Sequence, residues 1–146
     1  MKILLFLILL SSFILSDEIP SLSIKELKNL FKVQKEVKNY SLEEQALGLA
    51  LCFTESSWNY NANHQGLYSN ICGNKPHWTP YLNELGIEAN SIEAGIAIYK
   101  HYKEKNNGSR FLALKDYKGI KNPKNYYIIN STLQLREIIL QRLKND

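Results

Sequence analysis

The sequence predicts a mostly α-helical domain preceded by a short N-terminal signal peptide. Apolar residues recur at helical spacing in several stretches of the chain. One of these stretches follows Ser41, which forms an S-x-x-E capping box with Glu44, a pattern typical of helix starts. No stretch alternates convincingly between apolar and polar residues, as a half-buried strand would. Residues 17–146 have the size of one domain with its own core.

The first sixteen residues, MKILLFLILLSSFILS, have the layout of a secretory signal peptide. Lys2 supplies a positive charge, an almost unbroken apolar run follows, and small residues precede Asp17 and Glu18. The apolar run is short for a membrane span, and an uncleaved N-terminal anchor is the alternative. We expect the rest of the chain to be exported to the periplasm or cell envelope, with no stable membrane span after cleavage.

The first two predicted helices precede the middle of the chain. An amphipathic helix is predicted from Leu22 to Val37, with lysines opposite its apolar face. The capping box at Ser41 starts a second helix along LEEQALGLALCFTES, whose Leu and Ala content is typical of a buried central helix. Gly48 weakens that helix, which indicates a close packing contact at this position.

A long loop and three more helices are predicted in the remainder. The stretch from Trp58 to Pro80 is rich in Asn, Gly and Pro, and a loop of this length in a small domain is usually functional. Residues 126–129 are a weak candidate for a short strand. The predicted helices are Ser91 to Lys105, Arg110 to Tyr117 with Lys118 and Gly119 as its end, and Ser131 to Leu143.

Two cysteines, Cys52 and Cys72, permit one disulfide in an exported protein. Such a bond would join the second predicted helix to the loop that follows it. The alternative is a pair of buried free thiols, and the separation along the chain does not decide between the two.

The composition bears on the kinds of partner and cofactor that the chain takes. The formal net charge of +4 favours an anionic polymer such as an acidic glycan or the bacterial cell wall. The chain has no dense Arg cluster and no basic stripe with interleaved aromatic residues, so nucleic acid is not favoured. His64, His77 and His101 lack metal-ligand spacing, and we expect neither a metal nor a cofactor.

A single glutamate, Glu55, stands where the apolar helix in LALCFTESSWNYNANHQG comes to an end. The partial negative charge of a helix C-terminus disfavours an ionised carboxylate, and burial against Phe53 and Trp58 would disfavour it further. A glutamic acid that stays protonated can give a proton to a leaving oxygen. A solvated surface glutamate is the alternative interpretation of this position.

Three motifs follow one another along the chain. The first is Glu55-Ser56-Ser57-Trp58-Asn59-Tyr60-Asn61-Ala62, the second runs from Ser91 to Tyr99, and the third runs from Ala113 to Gly119. Together they resemble the E-S-x-W/F-N-P-x-A, N-I-x-x-G-x-x-Y/L and A-L-A-A-Y-N-x-G motifs of the soluble lytic transglycosylases, which share the goose-type lysozyme fold. The resemblance covers residues 46–119, about half of the chain.

The chain departs from the family pattern at two places. Tyr60 replaces the usual proline of the first motif. The segment from Gly66 to Gly73 lacks the Gln and Met of the family's G-A-x-G-L-M-Q segment, which puts the shape of the glycan groove in question.

The resemblance implies a lysozyme-like fold and a reaction that depends on one carboxyl group. Glu55 would protonate the glycosidic oxygen between N-acetylmuramic acid and N-acetylglucosamine, then accept a proton from the muramyl C6 hydroxyl, which leaves a 1,6-anhydro end. Tyr117 would hydrogen-bond to the Glu55 carboxyl and orient it, whereas Asp116 is expected to face solvent. Candidates for lining the sugar groove are Ser57, Trp58, Asn59, Tyr68, Asn70 and Trp78.

Two other functions remain open at this point. A muramidase would use water in place of the C6 hydroxyl, and a non-catalytic peptidoglycan-binding assembly protein would keep the fold without the reaction. A wall-lysing toxin or phage endolysin would share the chemistry in another context. We expect a monomer whose substrate is the peptidoglycan glycan strand and whose partner is an envelope machine such as a secretion, flagellar or conjugation apparatus.

Overall fold

The computed structural model describes residues 23–66 and 68–145, and for Tyr68 and Ser69 it describes the backbone only. The predicted signal peptide, residues 1–16, lies outside the described residues. No helix in residues 23–66 and 68–145 is both long enough and apolar enough to span a membrane.

The described part of the chain is mostly α-helical, as predicted. A two-stranded antiparallel hairpin pairs Asn63 with Ser69 and His64 with Tyr68. Short 3-10 turns at Pro76–Trp78 and Pro123–Asn125 lead into the third and the last helix. The elements are α1 (Ile24–Val37), α2 (Leu42–Ser56), β1 (Asn63–His64), β2 (Tyr68–Ser69), α3 (Thr79–Glu84), α4 (Ile92–Lys105), α5 (Arg110–Lys118) and α6 (Tyr126–Asn145).

Serine side chains fix the starts of four helices. Each accepts a hydrogen bond from a backbone N–H group in the first helical turn, which would otherwise have no partner. The capping serines are Ser23, Ser41, Ser91 and Ser109. The predicted capping box at Ser41 is present, since the Glu44 side chain accepts the Ser41 N–H in return. At the other end of α5, Gly119 adopts a left-handed conformation with φ 64°, which confirms the predicted end of that helix.

Helix α2 lies at the centre of the packing, where it contacts α1, α4 and α6. Its middle is buried continuously from Ala46 to Cys52, as its Leu and Ala content predicted. The core around it is apolar, and its largest fully buried side chains include Leu30, Leu49, Leu51, Ile71, Ile92, Ile96, Leu114 and Ile129. Helix α2 therefore positions whatever stands at its C-terminal end.

The close contact expected at Gly48 is present between α2 and α4. A Cβ atom added to Gly48 would lie 2.7 Å from Ile92 Cγ2 and 2.9 Å from Ile96 Cδ1. The absence of a side chain therefore lets the two helices approach, and this approach sets the position of α4 against the central helix.

Glu36 joins α1 to two other parts of the fold. Its carboxylate accepts hydrogen bonds from the Tyr60 hydroxyl (2.6 Å) and from the first backbone N–H of α4, at Ile92 (2.9 Å). Burial, with the hydrogen bond to Glu36, raises the pKa of Tyr60 above its ordinary value. Tyr60, at the position where the resembling family has proline, thus ties the segment after α2 to α1 and α4.

The structure differs from the sequence prediction in two segments. The weak prediction of a strand at residues 126–129 is wrong, because α6 begins at Tyr126 and its residue Ile129 is fully buried. Its β-branched and aromatic residues favour a strand locally, but packing against α5 decides in favour of a helix. The long loop predicted up to Pro80 also contains the 3-10 turn Pro76–Trp78 and the start of α3.

We expect Gly48→Ala to destabilise the fold by about 1 kcal/mol. Overpacking costs roughly 1–3 kcal/mol, whereas alanine gains about 1 kcal/mol over glycine in helix propensity. Urea denaturation measures the net change. The double variant with Ile96→Val removes the Cδ1 atom in contact, so it should lose less than the sum of the two single variants. A Gly48→Ala protein more stable than wild type would contradict the tight α2–α4 contact.

Candidate active site

Glu55 lies in the last turn of α2, and both oxygens of its carboxylate are in contact with the rest of the protein. Its side chain is 23% exposed. Oε1 accepts a hydrogen bond from the Lys118 ammonium at the end of α5. Oε2 lies against the backbone of Gly73, where an added Cβ atom would be 2.8 Å away. The carboxylate is therefore held between two segments distant in sequence, with one edge open to solvent.

The chain reverses immediately after Glu55 through two residues with positive φ. Ser57 has φ 52° and its N–H donates to Phe53 O (2.7 Å), while Trp58 has φ 58°. Such values are unfavourable for residues with a Cβ atom. The reversal turns the Trp58 ring back into the core, where Nε1 donates to Leu49 O (2.9 Å) and the ring lies 4.7 Å from that of Phe53. Burial of this indole compensates the unfavourable backbone that ends α2.

A disulfide joins the Glu55 helix to the loop that faces it. Cys52 and Cys72 are bonded, with their Cα atoms 4.2 Å apart. The Ser56 hydroxyl also donates to Ile71 O, which is a second link between the same two segments. On α4, an added Cβ atom at Gly95 would lie 3.0 Å from Cys72 Sγ, so the glycine makes room for the disulfide.

The facing loop, residues 70–74, is held rigidly by buried amides and is named here the Gly73 loop. The Asn70 Oδ1 atom accepts the N–H groups of Cys72 (3.2 Å) and Asn74 (2.8 Å), and its Nδ2 donates to Asn74 O (2.8 Å). Asn74 Nδ2 donates to Ala89 O (3.2 Å). Gly73 has φ 66°, a conformation that glycine adopts without strain. This loop brings a backbone without a side chain against the carboxylate.

Tyr117, predicted to orient Glu55, contacts the Gly73 loop. Its hydroxyl lies 2.8 Å from Cys72 O and within hydrogen-bonding distance of Asn74 Oδ1, so its single proton serves one acceptor at a time. These acceptors flank Gly73 on both sides. Tyr117 thus supports the loop that touches Glu55, while its direct action on the carboxyl group stays a prediction.

Lys118 supplies a positive charge that the sequence argument did not include. Its side chain is 5% exposed, and its ammonium donates to Glu55 and to Thr54 Oγ1 (3.1 Å). The Glu55–Lys118 ion pair therefore joins the C-terminal end of α2 to the C-terminal end of α5.

No protein-family model, no curated protein and no solved structure matches this chain.

Three of the predicted sugar-groove residues make hydrogen bonds to the backbone of their own local structure. Trp58 is 4% exposed and has its indole N–H bonded to the backbone, so its ring offers no face to a sugar in this structure. Asn70 is buried and uses its amide within the Gly73 loop. Asn59 Oδ1 accepts the N–H of Asn61 (3.1 Å), a local turn contact.

The other candidates lie at the surface or outside the description. Ser57 is half-buried at the end of α2, two residues after Glu55. Trp78 is half-buried among aromatic rings, with centroid distances of 5.6 Å to Tyr81, 5.1 Å to His101 and 5.3 Å to Tyr102. It also lines a small cavity with Gly73 and Tyr117. Of Tyr68 only the backbone, in β2, is described, and its predicted contact with sugar stays a prediction.

Two further predictions concern metal ions and Asp116. Within residues 23–66 and 68–145, no cluster of His, Cys, Asp or Glu side chains is arranged to hold a metal ion. Asp116, expected to face solvent, is half-buried and accepts a hydrogen bond from Asn106 Nδ2 (3.0 Å). It therefore belongs to the contact between α4 and α5.

Four residues of the site were missed at the sequence level. Ser56 and Gly73 each stand within or next to a quoted motif, yet nothing local indicates that one bonds the facing loop and the other touches Glu55. Asn74 is one of many asparagines in the predicted loop. Lys118 directly follows Tyr117, and its place in the third motif was the available signal.

We expect Glu55→Gln to destabilise the protein by about 1–3 kcal/mol, because it leaves the buried Lys118 ammonium without its counter-charge. The double variant Glu55→Gln/Lys118→Met, which removes both charges, should be more stable than Glu55→Gln alone. Chemical denaturation at neutral pH measures these differences. Glu84→Gln, at an exposed position, is the matched control and should change stability by less than about 0.5 kcal/mol. Equal stability of Glu55→Gln and wild type would contradict the ion pair.

Proposed function

We propose that this chain is a peptidoglycan lytic transglycosylase with a lysozyme-like fold that acts in the periplasm or cell envelope. The observation that carries the proposal is the position of Glu55: a partly exposed carboxylate at the end of a buried helix, held between the Gly73 backbone and Lys118. The motif resemblance assigns the acid/base of this family to the same residue.

The surroundings of Glu55 fit a reaction that uses one carboxyl group. Its hydrogen-bond and ion-pair partner among the described residues is a lysine, and the Asp116 carboxylate accepts a hydrogen bond from Asn106. Glycosidases that act with water or with a covalent intermediate usually need two carboxyl groups flanking the scissile bond. A single acid/base suffices when the substrate supplies its own hydroxyl as the nucleophile.

The reaction has two proton transfers, both at Glu55. Its protonated carboxyl group gives a proton to the glycosidic oxygen, and the bond from that oxygen to muramyl C1 breaks. The muramyl C6 hydroxyl then bonds to C1 and loses its proton to the Glu55 carboxylate. The products are a free 4-hydroxyl on N-acetylglucosamine and a 1,6-anhydromuramyl end, and Glu55 returns to its starting protonation state.

The disulfide supports an extracytoplasmic location for this reaction. Disulfides persist in oxidising compartments such as the bacterial periplasm. The Cys52–Cys72 bond therefore agrees with the export expected from the N-terminal sequence. Local opening of the wall for a secretion, flagellar or conjugation apparatus is the role that we propose for so small a chain.

A non-catalytic peptidoglycan-binding protein of the same fold is the second candidate. It is favoured by the Lys118 contact, which satisfies one carboxylate oxygen of Glu55 in the absence of substrate. A binder would keep its affinity for the wall when Glu55 is replaced by Gln, whereas the enzyme would lose its reaction.

The chain from residue 17 to 146, incubated with purified peptidoglycan, should release fragments with anhydromuramyl ends, as identified by mass spectrometry. Glu55→Gln and Glu55→Gln/Lys118→Met should release none, and the double variant guards against a loss caused only by instability. Glu84→Gln should behave as wild type. Reducing muramyl ends would indicate a muramidase instead. Absence of release with unchanged sedimentation on the wall would contradict the enzyme and support the binder.

We expect Gly73→Ala to reduce glycan cleavage about 10²-fold, because its Cβ atom would displace the Glu55 carboxylate from its position. The alanine also adopts a positive φ, which costs about 1 kcal/mol of stability. Gly108→Ala is the matched control, since Gly108 has φ 84° and an added Cβ atom would meet no other atom within 4 Å. Both variants should lose similar stability, but equal cleavage rates would contradict the role of the Gly73 contact.

A further inference from the structure

Helix α1 exposes lysines and apolar residues along one side, and none of its exposed residues is acidic. The α1 lysine face is the set of these exposed residues, Ile24, Lys25, Lys28, Phe31, Lys32 and Lys35. Their spacings of three, four and seven residues place them on one side of the helix. Leu30, Val33 and Val37, on the other side, are buried in the core. The apolar residues that hold α1 in the fold are therefore separate from the face that meets solvent.

The two acidic residues of α1 form hydrogen bonds within the fold. Glu26 accepts the Ser23 N–H at 2.7 Å in the capping box of the helix. Glu36 accepts the Tyr60 hydroxyl and the Ile92 N–H. The lysines of the α1 lysine face are different, because none of them forms an ion pair with a carboxylate in residues 23–66 and 68–145. Their positive charge is therefore available to a partner.

The α1 lysine face accounts for the charge excess of the whole chain. It has four lysines, and the formal net charge of the chain is +4, so all the other residues sum to a formal charge of zero. Positive charge that is concentrated on one face attracts and orients an anionic partner more strongly than the same charge spread over the surface. The partner of this face is therefore anionic.

Two apolar side chains lie among these lysines. Ile24 is 75% exposed and Phe31 is 40% exposed. Along the helix they alternate with Lys28 and Lys35 at spacings of four, three and four residues, which form one line on the helix surface. A charged polymer in water offers little apolar volume to such side chains. A phospholipid layer accepts both kinds, with basic groups at its phosphates and apolar groups at the boundary of headgroups and acyl chains.

We propose that the α1 lysine face docks this protein onto an anionic phospholipid surface of the cell envelope. The lysines contact the lipid phosphates, and Ile24 and Phe31 insert between the headgroups. The helix lies along the surface and does not cross it, because its inner side stays packed in the core. The inference is independent of the reaction proposed for Glu55, whose contacts Lys118 and Gly73 lie outside α1.

Co-sedimentation of residues 17–146 with lipid vesicles measures this binding. Vesicles of phosphatidylglycerol and phosphatidylethanolamine present an anionic surface, and vesicles of phosphatidylcholine present a neutral one. Lys32 stays unchanged in the test, because its ammonium lies 3.6 Å from the centre of the Tyr60 ring. The α1 variant is Lys25→Gln/Lys28→Gln/Lys35→Gln. The charge-matched control changes exposed lysines outside α1 and is Lys121→Gln/Lys124→Gln/Lys144→Gln.

The wild-type protein should bind the anionic vesicles and leave the neutral ones unbound. The α1 variant should bind the anionic vesicles about 10²-fold more weakly, given the contribution of each lysine near an anionic surface. The control variant should stay within about threefold of wild type. A rise in ionic strength from about 0.1 M to about 1 M shortens the screening length from about 10 Å to about 3 Å and should release the wild-type protein. Circular dichroism verifies that each variant is folded.

Ile24→Ser tests the apolar part of the contact. It should weaken binding to the anionic vesicles about 10-fold, because an isoleucine side chain gains at least this much when it leaves water. Leu85→Ser is the matched control, since Leu85 is 51% exposed outside α1, and it should bind as wild type does. Equal binding by Ile24→Ser and wild type would overturn the choice of lipid as the partner.

Three other results would overturn the inference. The first is wild-type protein that does not bind anionic vesicles. The second is an equal loss in the α1 variant and the control, which would make net charge sufficient. The third is an α1 variant that loses sedimentation on purified peptidoglycan but keeps its vesicle binding, which would assign the face to the wall polymer.

Glycan cleavage, measured in parallel without vesicles, separates this inference from the proposed function. The α1 variant should release fragments from purified peptidoglycan as wild type does. Vesicle binding that follows the expected pattern, in a wild-type protein that cleaves no glycan, would support the docking face and remove the proposed function.

Discussion

The bond between Cys52 and Cys72 is the constraint on which the geometry around Glu55 depends. Cys52 precedes Glu55 by one helical turn, and Cys72 is the residue before Gly73. The covalent link therefore fixes the distance between the carboxylate and the backbone that it touches. The Ser56 hydroxyl bonded to Ile71 O and the amide of Asn70 fix the orientation of the loop. Without this link, the contact with Gly73 would depend on hydrogen bonds alone.

The Glu55–Lys118 pair differs in kind from the other charged network of the fold. Arg136 is also buried, but its partners Glu43 and Glu137 are each more than half exposed, so water stabilises the negative charges. At Glu55 the cation is buried and the carboxylate is mostly shielded. A shielded ion pair contributes little net stability, because desolvation of both partners offsets their attraction. Stability alone therefore gives little reason for this pair.

Local sequence signals predicted those parts of the fold that are determined locally. Helices α2 and α4 were predicted almost to the residue, because Ser41 and Ser91 cap them and their apolar patterns are regular. The start of α6 was not predicted, since the packing of Ile129 in the core overrides the local preference of residues 126–129 for a strand. Glu55 was predicted to be the functional carboxyl group from its helix end and its motif, and that role stays a prediction. Its partner Lys118 is 63 residues away along the chain. The inward turn of the Trp58 ring requires positive φ angles at Ser57 and Trp58, which no local sequence pattern predicts.

The three motifs, which are separated along the chain, converge on one place in the fold. Ser56 of the first bonds Ile71, Gly95 of the second makes room for the disulfide, and Tyr117 of the third bonds the carbonyl of Cys72. Each contact falls on the segment from residue 71 to 73, within the stretch that departs most from the resembling family. The departure therefore leaves the support of Glu55 in place.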